Sequence, residues 1–108
     1  MPMIISGESF EGPFAIDAAV IDPNRAAVYV IICTQPTGKH YVIDVGESGE
    51  VGDRPQNHPR LNCWLAQCKF ALSVYLRYLP LSEGFTADDR RHLETKIRQQ
   101  YSPPCGAR

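Results

Sequence analysis

Five residues in this chain have the types and spacing that could handle a phosphodiester. Tyr29 lies in an apolar run, Asp44 near the end of a second one, and Arg54 precedes His58 by four residues in a polar loop; Glu94 sits in an amphipathic stretch near the C-terminus. A carboxylate can hold Mg²⁺, an arginine can neutralise charge on a transferring phosphate, and a tyrosine or histidine can handle the proton of an attacking water. Each residue also has a plainer reading. Tyr29 can be core packing, Arg54 a solvated loop charge, His58 a turn residue before Pro59, and Asp44 a strand end. Glu94 lies four residues after Arg90 and four before Arg98, the spacing of an ordinary helix ion pair worth about 0.3–0.5 kcal/mol.

The elements that must position these residues follow from periodicity. "AAVYVIIC" (Ala26–Cys33) is β-branched or aromatic on both alternating faces, which predicts a strand covered on both sides and central in its sheet. "TQPTGK" turns the chain, and "HYVIDV" (His40–Val45) follows as the partner of an antiparallel hairpin. After Gly46 the chain is polar, with one or two short helical pieces interrupted at Pro55 and Pro59. "FALSVYLRYL" (Phe70–Leu79) alternates, with Val74 and Leu76 on one face and Tyr75 and Arg77 on the other, so it reads as a third strand. "TADDRRHLETKIRQQY" reads as a helix with Thr86 as N-cap and Asp89 closing a capping box; its apolar stripe is Leu93, Ile97 and Tyr101, and Glu94 borders that stripe. Met1–Arg25 is turn-rich and is read as a lead-in packed on a single domain spanning residues 26–108. The expected fold is an α/β (α+β) sandwich, a small three-stranded antiparallel sheet flanked by helices.

These motifs, in this order, resemble the GIY-YIG nuclease domains, small α/β sandwiches that cut phosphodiester bonds with one divalent metal. "AVY" (Ala27–Tyr29) is similar to the first family motif and "DVGES" (Asp44–Ser48) to the second, with Val45-Gly46 as its last two letters. Arg54 and His58 stand at the family's spacing, and "LETKIRQQYSPPCG" looks like its carboxylate helix and proline-rich end. The resemblance covers residues 26–106. It implies that Tyr29 assists deprotonation of the attacking water, that Arg54 contacts the scissile phosphate with Gly46 beside it, that His58 supports the proton or phosphate, and that Glu94 holds one Mg²⁺ or Mn²⁺ ion. Apart from the resemblance, Arg60 has two readings, a second phosphate contact or a solvated charge. Two positions depart from the pattern: Asp44 replaces the second motif's tyrosine, where an anion would bind metal or repel phosphate, and Cys105-Gly106 replaces a terminal asparagine. The function implied is a divalent-metal-dependent nuclease acting on DNA, with a protein partner, a homodimer or DNA structure supplying specificity. The alternative is a catalytically weakened domain that binds nucleic acid or a protein.

Composition bounds these readings. At 108 residues the chain suits one domain and can bury roughly two-thirds of its surface without staples. Its net charge of -1 gives no global attraction for a polyanion, although a local basic patch stays open. The longest apolar run is too short to span a bilayer, and the start lacks a basic n-region, so the sequence points to a cytoplasmic protein without a membrane segment. The four cysteines are then expected to be reduced, half-buried thiols. A zinc site is the other use for them, with Cys63 and Cys68 joined by Cys33, Cys105 or His58 in a small interaction module. Five residues of helix rotate by about 140°, which points two such thiols to different sides. Trp64, the sole tryptophan, is expected to anchor the loop helix to the core.

Overall fold

The computed structural model describes residues 2–16, 26–48 and 60–106. Met3–Ile5 (β1) and Glu8–Ala15 (β2) form an antiparallel hairpin. The two residues between them, Ser6 and Gly7, both have positive φ, 52° and 83°. That is the mirror-image turn whose twist matches paired strands, and glycine adopts it without a Cβ clash. Ala27–Thr34 (β3), His40–Ser48 (β4) and Ala71–Tyr78 (β5) complete one sheet in the order β1-β2-β5-β3-β4, antiparallel throughout.

The expectation of a three-stranded sheet sandwiched by helices is thereby corrected: five strands form a curled antiparallel sheet carrying two helices. The difference lies in Met1–Arg25, whose described part supplies two strands rather than a lead-in. Gly12-Pro13 in the middle of "ESFEGPFA" reads as a breaker, because proline cannot donate to a ladder and glycine weakens a strand. Here the β2–β5 pairing shifts register between Glu11 and Phe14, which accommodates that pair of residues.

β3 pairs with β5 on one side and β4 on the other, and six of its eight residues are buried. Its register with β4 shifts after Ile31, which faces Asp44, to Ile32, which faces Val42. Ile43 is the extra residue of this bulge. Ile43 packs with Ile31 and Trp64, while Val42 and Val45 join the opposite cluster with Val30 and Ile97. A short helix, Leu61–Gln67 (α1), precedes β5, and Ala87–Tyr101 (α2) follows it after one turn of 3₁₀ helix. Thr86 caps α2 with both halves of the expected box: its hydroxyl accepts from the Asp89 N–H at 3.3 Å, and the Asp89 carboxylate accepts from the Thr86 N–H at 2.8 Å. Leu93 and Ile97 are buried, whereas Tyr101 is 40% exposed.

The cysteines overturn the reduced-thiol reading. Cys33 is bonded to Cys68 and Cys63 to Cys105, which leaves no thiolate for zinc. The first bond ties β3 to the residue after α1, and the second ties α1 to the C-terminal segment. With partners 35 and 42 positions apart, each closes a loop whose lost denatured-state entropy is worth about 4 kcal/mol. Among the described residues no helix is long and apolar enough to cross a membrane.

Ile97 has no exposed surface, so Ile97→Ala should cost about 2–5 kcal/mol. Thr86→Ala should cost about 1 kcal/mol. Urea unfolding of the two variants beside wild type checks that order, and a larger loss at Thr86 would contradict this account of how α2 is held.

Candidate functional site

Asp44 is the anchor of a charged cluster formed where β4, α1 and α2 meet. It has no exposed surface. Its Oδ2 accepts from Arg60 Nε at 2.6 Å and from Trp64 Nε1 at 2.8 Å. Its Oδ1 accepts from the Val45 N–H at 2.8 Å and from Arg98 Nη2 at 3.0 Å. These four donors match the roughly four lone-pair positions of a carboxylate. Asp44 therefore organises the cluster and has no lone pair left for a metal ion.

Arg98 reaches over the outer edge of β4, which no other strand covers among the described residues. Besides Asp44 it donates to the Val45 carbonyl, to Glu94 Oε2 at 3.2 Å and to the Cys105 carbonyl at 3.3 Å. The Cys105 N–H donates to the Ile43 carbonyl at 3.0 Å. An exposed strand edge invites pairing with another chain, and here one arginine and the C-terminal segment occupy it. Nearby, Arg90 of α2 pairs with Glu47 of β4 at 3.0 Å, so α2 is fixed along this edge at two points.

Tyr29 faces Gly46 across the β3–β4 ladder. A Cβ at Gly46 would lie 2.2 Å from the Tyr29 ring carbon Cζ and its hydroxyl oxygen, so only glycine leaves room for this ring. Burial pushes the Tyr29 pKa up to about 12; the Arg60 charge pulls it down, and Asp44 and Glu94 push it further up. At neutral pH the group is a phenol, not a standing base. Arg60 loses some hydration, yet its hydrogen bond and ion pair with Asp44 outweigh that and hold the guanidinium more firmly charged. Glu94 is 3% exposed and feels both Tyr29 and Arg60. Two carboxylates thus face two guanidiniums.

Of the residues singled out in the sequence, Tyr29, Asp44, Gly46, Arg60 and Glu94 come together here. Arg54 and His58 lie outside the described residues. Arg98, Trp64 as a donor, and Gly106 were not among the candidates. Gly106, at φ 69°, sits so close that a Cβ would be 2.8 Å from Arg60 Nε and from Asp44 Oδ1. In the sequence Arg98 reads as an i,i+4 partner of Glu94 and as one of the basic residues of a solvated helix face, with a nucleic-acid patch as the second reading.

Glu94 offers the hard oxygen that Mg²⁺ or Mn²⁺ takes, and one carboxylate shared with substrate phosphates is a common arrangement for Mg²⁺. The described residues hold no group of three His, Cys, Asp or Glu side chains able to seat an ion. The chain matches no family model, no curated protein and no solved structure.

Asp44→Asn keeps the shape but removes a fully buried charge that offsets two guanidiniums, Arg98 at 14% and Arg60 at 35% exposure, so it should cost about 3–5 kcal/mol in chemical denaturation. A loss below about 1 kcal/mol, the range of a surface pair, would show that the cluster contributes little. The Tyr29 pKa is raised above its unfolded value of 10 to about 12. Its contribution to stability is therefore fully present below pH 10 and is lost as pH rises through about 12. Unfolding free energies across that window should fall more steeply for wild type than for Tyr29→Phe; parallel curves would contradict the assignment.

Proposed function

We propose that the chain is a divalent-metal-dependent nuclease that hydrolyses phosphodiester bonds in DNA, with the Tyr29–Arg60–Glu94 cluster as its active site. One observation carries the reading. A tyrosine on β3, a glycine on β4, an arginine at the start of α1 and a glutamate on α2 converge, although the first and last are 65 positions apart. Apart from Arg60, which stands where a second phosphate contact was expected, these are the residues to which the GIY-YIG resemblance assigns the chemistry.

Each residue then has a task. Arg60, held charged by Asp44, places its guanidinium against a non-bridging phosphate oxygen and offsets charge that builds as water attacks. Tyr29 orients that water and relays its proton, since its own proton stays on at neutral pH. Glu94 would hold the ion, which when bound would polarise the phosphate and lower the pKa of its water. Arg98 keeps Glu94 and Asp44 in fixed relation. Arg54 and His58 are proposed to complete the phosphate contacts, and specificity is left to DNA structure, a protein partner or a second copy.

A second reading, nucleic-acid or protein binding without cleavage, is favoured by one feature: Glu94 is 3% exposed and ion-paired with Arg98. The two disulfides favour an oxidising compartment over the cytoplasm expected from the sequence.

Nicking of supercoiled plasmid in Mg²⁺ or Mn²⁺, without reductant, tests the first reading. Wild type should nick. Glu94→Gln, chosen to preserve a hydrogen bond to Arg98, and Arg60→Ala should each lose about 10²–10³-fold. Wild type that binds DNA but leaves it intact would move the assignment to the second reading. Equal nicking by all three proteins would remove this cluster as the active site.

A further inference from the structure

The two disulfides differ in what they hold and in how they meet solvent. Cys33 and Cys68 are both buried. In the other bond Cys105 is fully buried, while Cys63 on α1 is partly exposed. Both ends of this second bond bear on the charged cluster. Cys63 belongs to the helix whose leading residue Arg60 and whose Trp64 donate to Asp44. Cys105 donates to Ile43 and accepts from Arg98, and Gly106 after it lies against Arg60, Asp44 and Arg98.

α1 cannot hold this arrangement by itself. Its seven residues are far fewer than an isolated helix needs in water, roughly 12–15. It has no side-chain cap, and only Trp64 among its residues is buried. The covalent bonds therefore do much of the positioning.

We infer that Cys63–Cys105 is a reversible thiol-exchange site, and that its oxidation state sets whether the Arg60–Asp44–Arg98 cluster is assembled. The reactant class is a dithiol. One of its thiolates attacks the sulfur of Cys63, the partly exposed half, and Cys105 leaves as a thiolate that takes up a proton. The dithiol's second thiolate then attacks its own sulfur in the mixed disulfide and releases Cys63. Two electrons pass from the dithiol, which closes to a cyclic disulfide, to the protein, which gains two thiols. Exchange rates follow access to the attacked sulfur, so the buried Cys33–Cys68 bond opens later. In the reduced form α1 and the segment 102–106 lose their covalent link, and the α1 donors to Asp44, Arg60 and Trp64, part from it. This inference rests on the cluster's geometry and holds whether or not the cluster cleaves DNA.

The full chain titrated with dithiothreitol, trapped with iodoacetamide and mapped by peptide mass, tests it, with Trp64 emission recorded in parallel. The expected intermediate carries label on Cys63 and Cys105 with Cys33–Cys68 intact. In the untrapped sample, Trp64 emission shifts to the red and is quenched more by iodide as this intermediate forms, and both changes reverse with oxidised glutathione. Opening of Cys33–Cys68 first, or unchanged Trp64 emission in the doubly labelled species, would overturn the inference. The variant with Cys63→Ser and Cys105→Ser should reproduce the emission of that intermediate; emission matching oxidised wild type would also overturn it. None of these readouts depends on nicking, so failure of the nuclease reading is distinguishable from failure here.

Discussion

A carboxylate cut off from water costs several kcal/mol unless protein donors replace its hydration, and at Asp44 this requirement shapes everything around it. Four donors from four places in the chain meet it: the next backbone N–H, a tryptophan and an arginine from α1, and an arginine from α2. The bulge at Ile43 sets Asp44 on the side from which Trp64 and Arg60 approach. Removing any donor strands part of a buried charge, so the two helices are tied to one oxygen pair on one strand.

Arg98 extends the same constraint to the edge of the sheet. Its guanidinium bridges Asp44 and Glu94 and also satisfies carbonyls of Val45 and Cys105. The group that balances charge therefore also blocks the open side of β4. The catalytic proposal and the protection of the strand edge use one side chain, which explains why the candidate metal ligand Glu94 is so enclosed.

The staples follow from size and shape. α1 is short and weakly anchored, yet it must deliver two donors to within hydrogen-bond distance of Asp44. Disulfides from Cys63, within the helix, and from Cys68, just beyond its end, supply what its length cannot.

Local chemistry was legible in the sequence. The doubly apolar run around Tyr29, the alternation through Val74 and Leu76, and the Thr86–Asp89 box each specify their element through contacts within a few residues. Tyr29, Gly46 and Glu94 were singled out through the resemblance together with Arg54 and His58, which lie outside the described residues; Arg60 was read only as a second phosphate contact or a solvated charge. The N-terminal strands were not legible: Gly12-Pro13 lowers strand propensity, and pairing with β5 overrides it only once β5 is in place. Cysteine pairing, the saturation of Asp44 and the reach of Arg98 were decided by the tertiary structure alone. Each depends on which distant side chains share a few ångströms, and a spacing such as Glu94 to Arg98 reads the same on a solvated helix face as in a buried cluster.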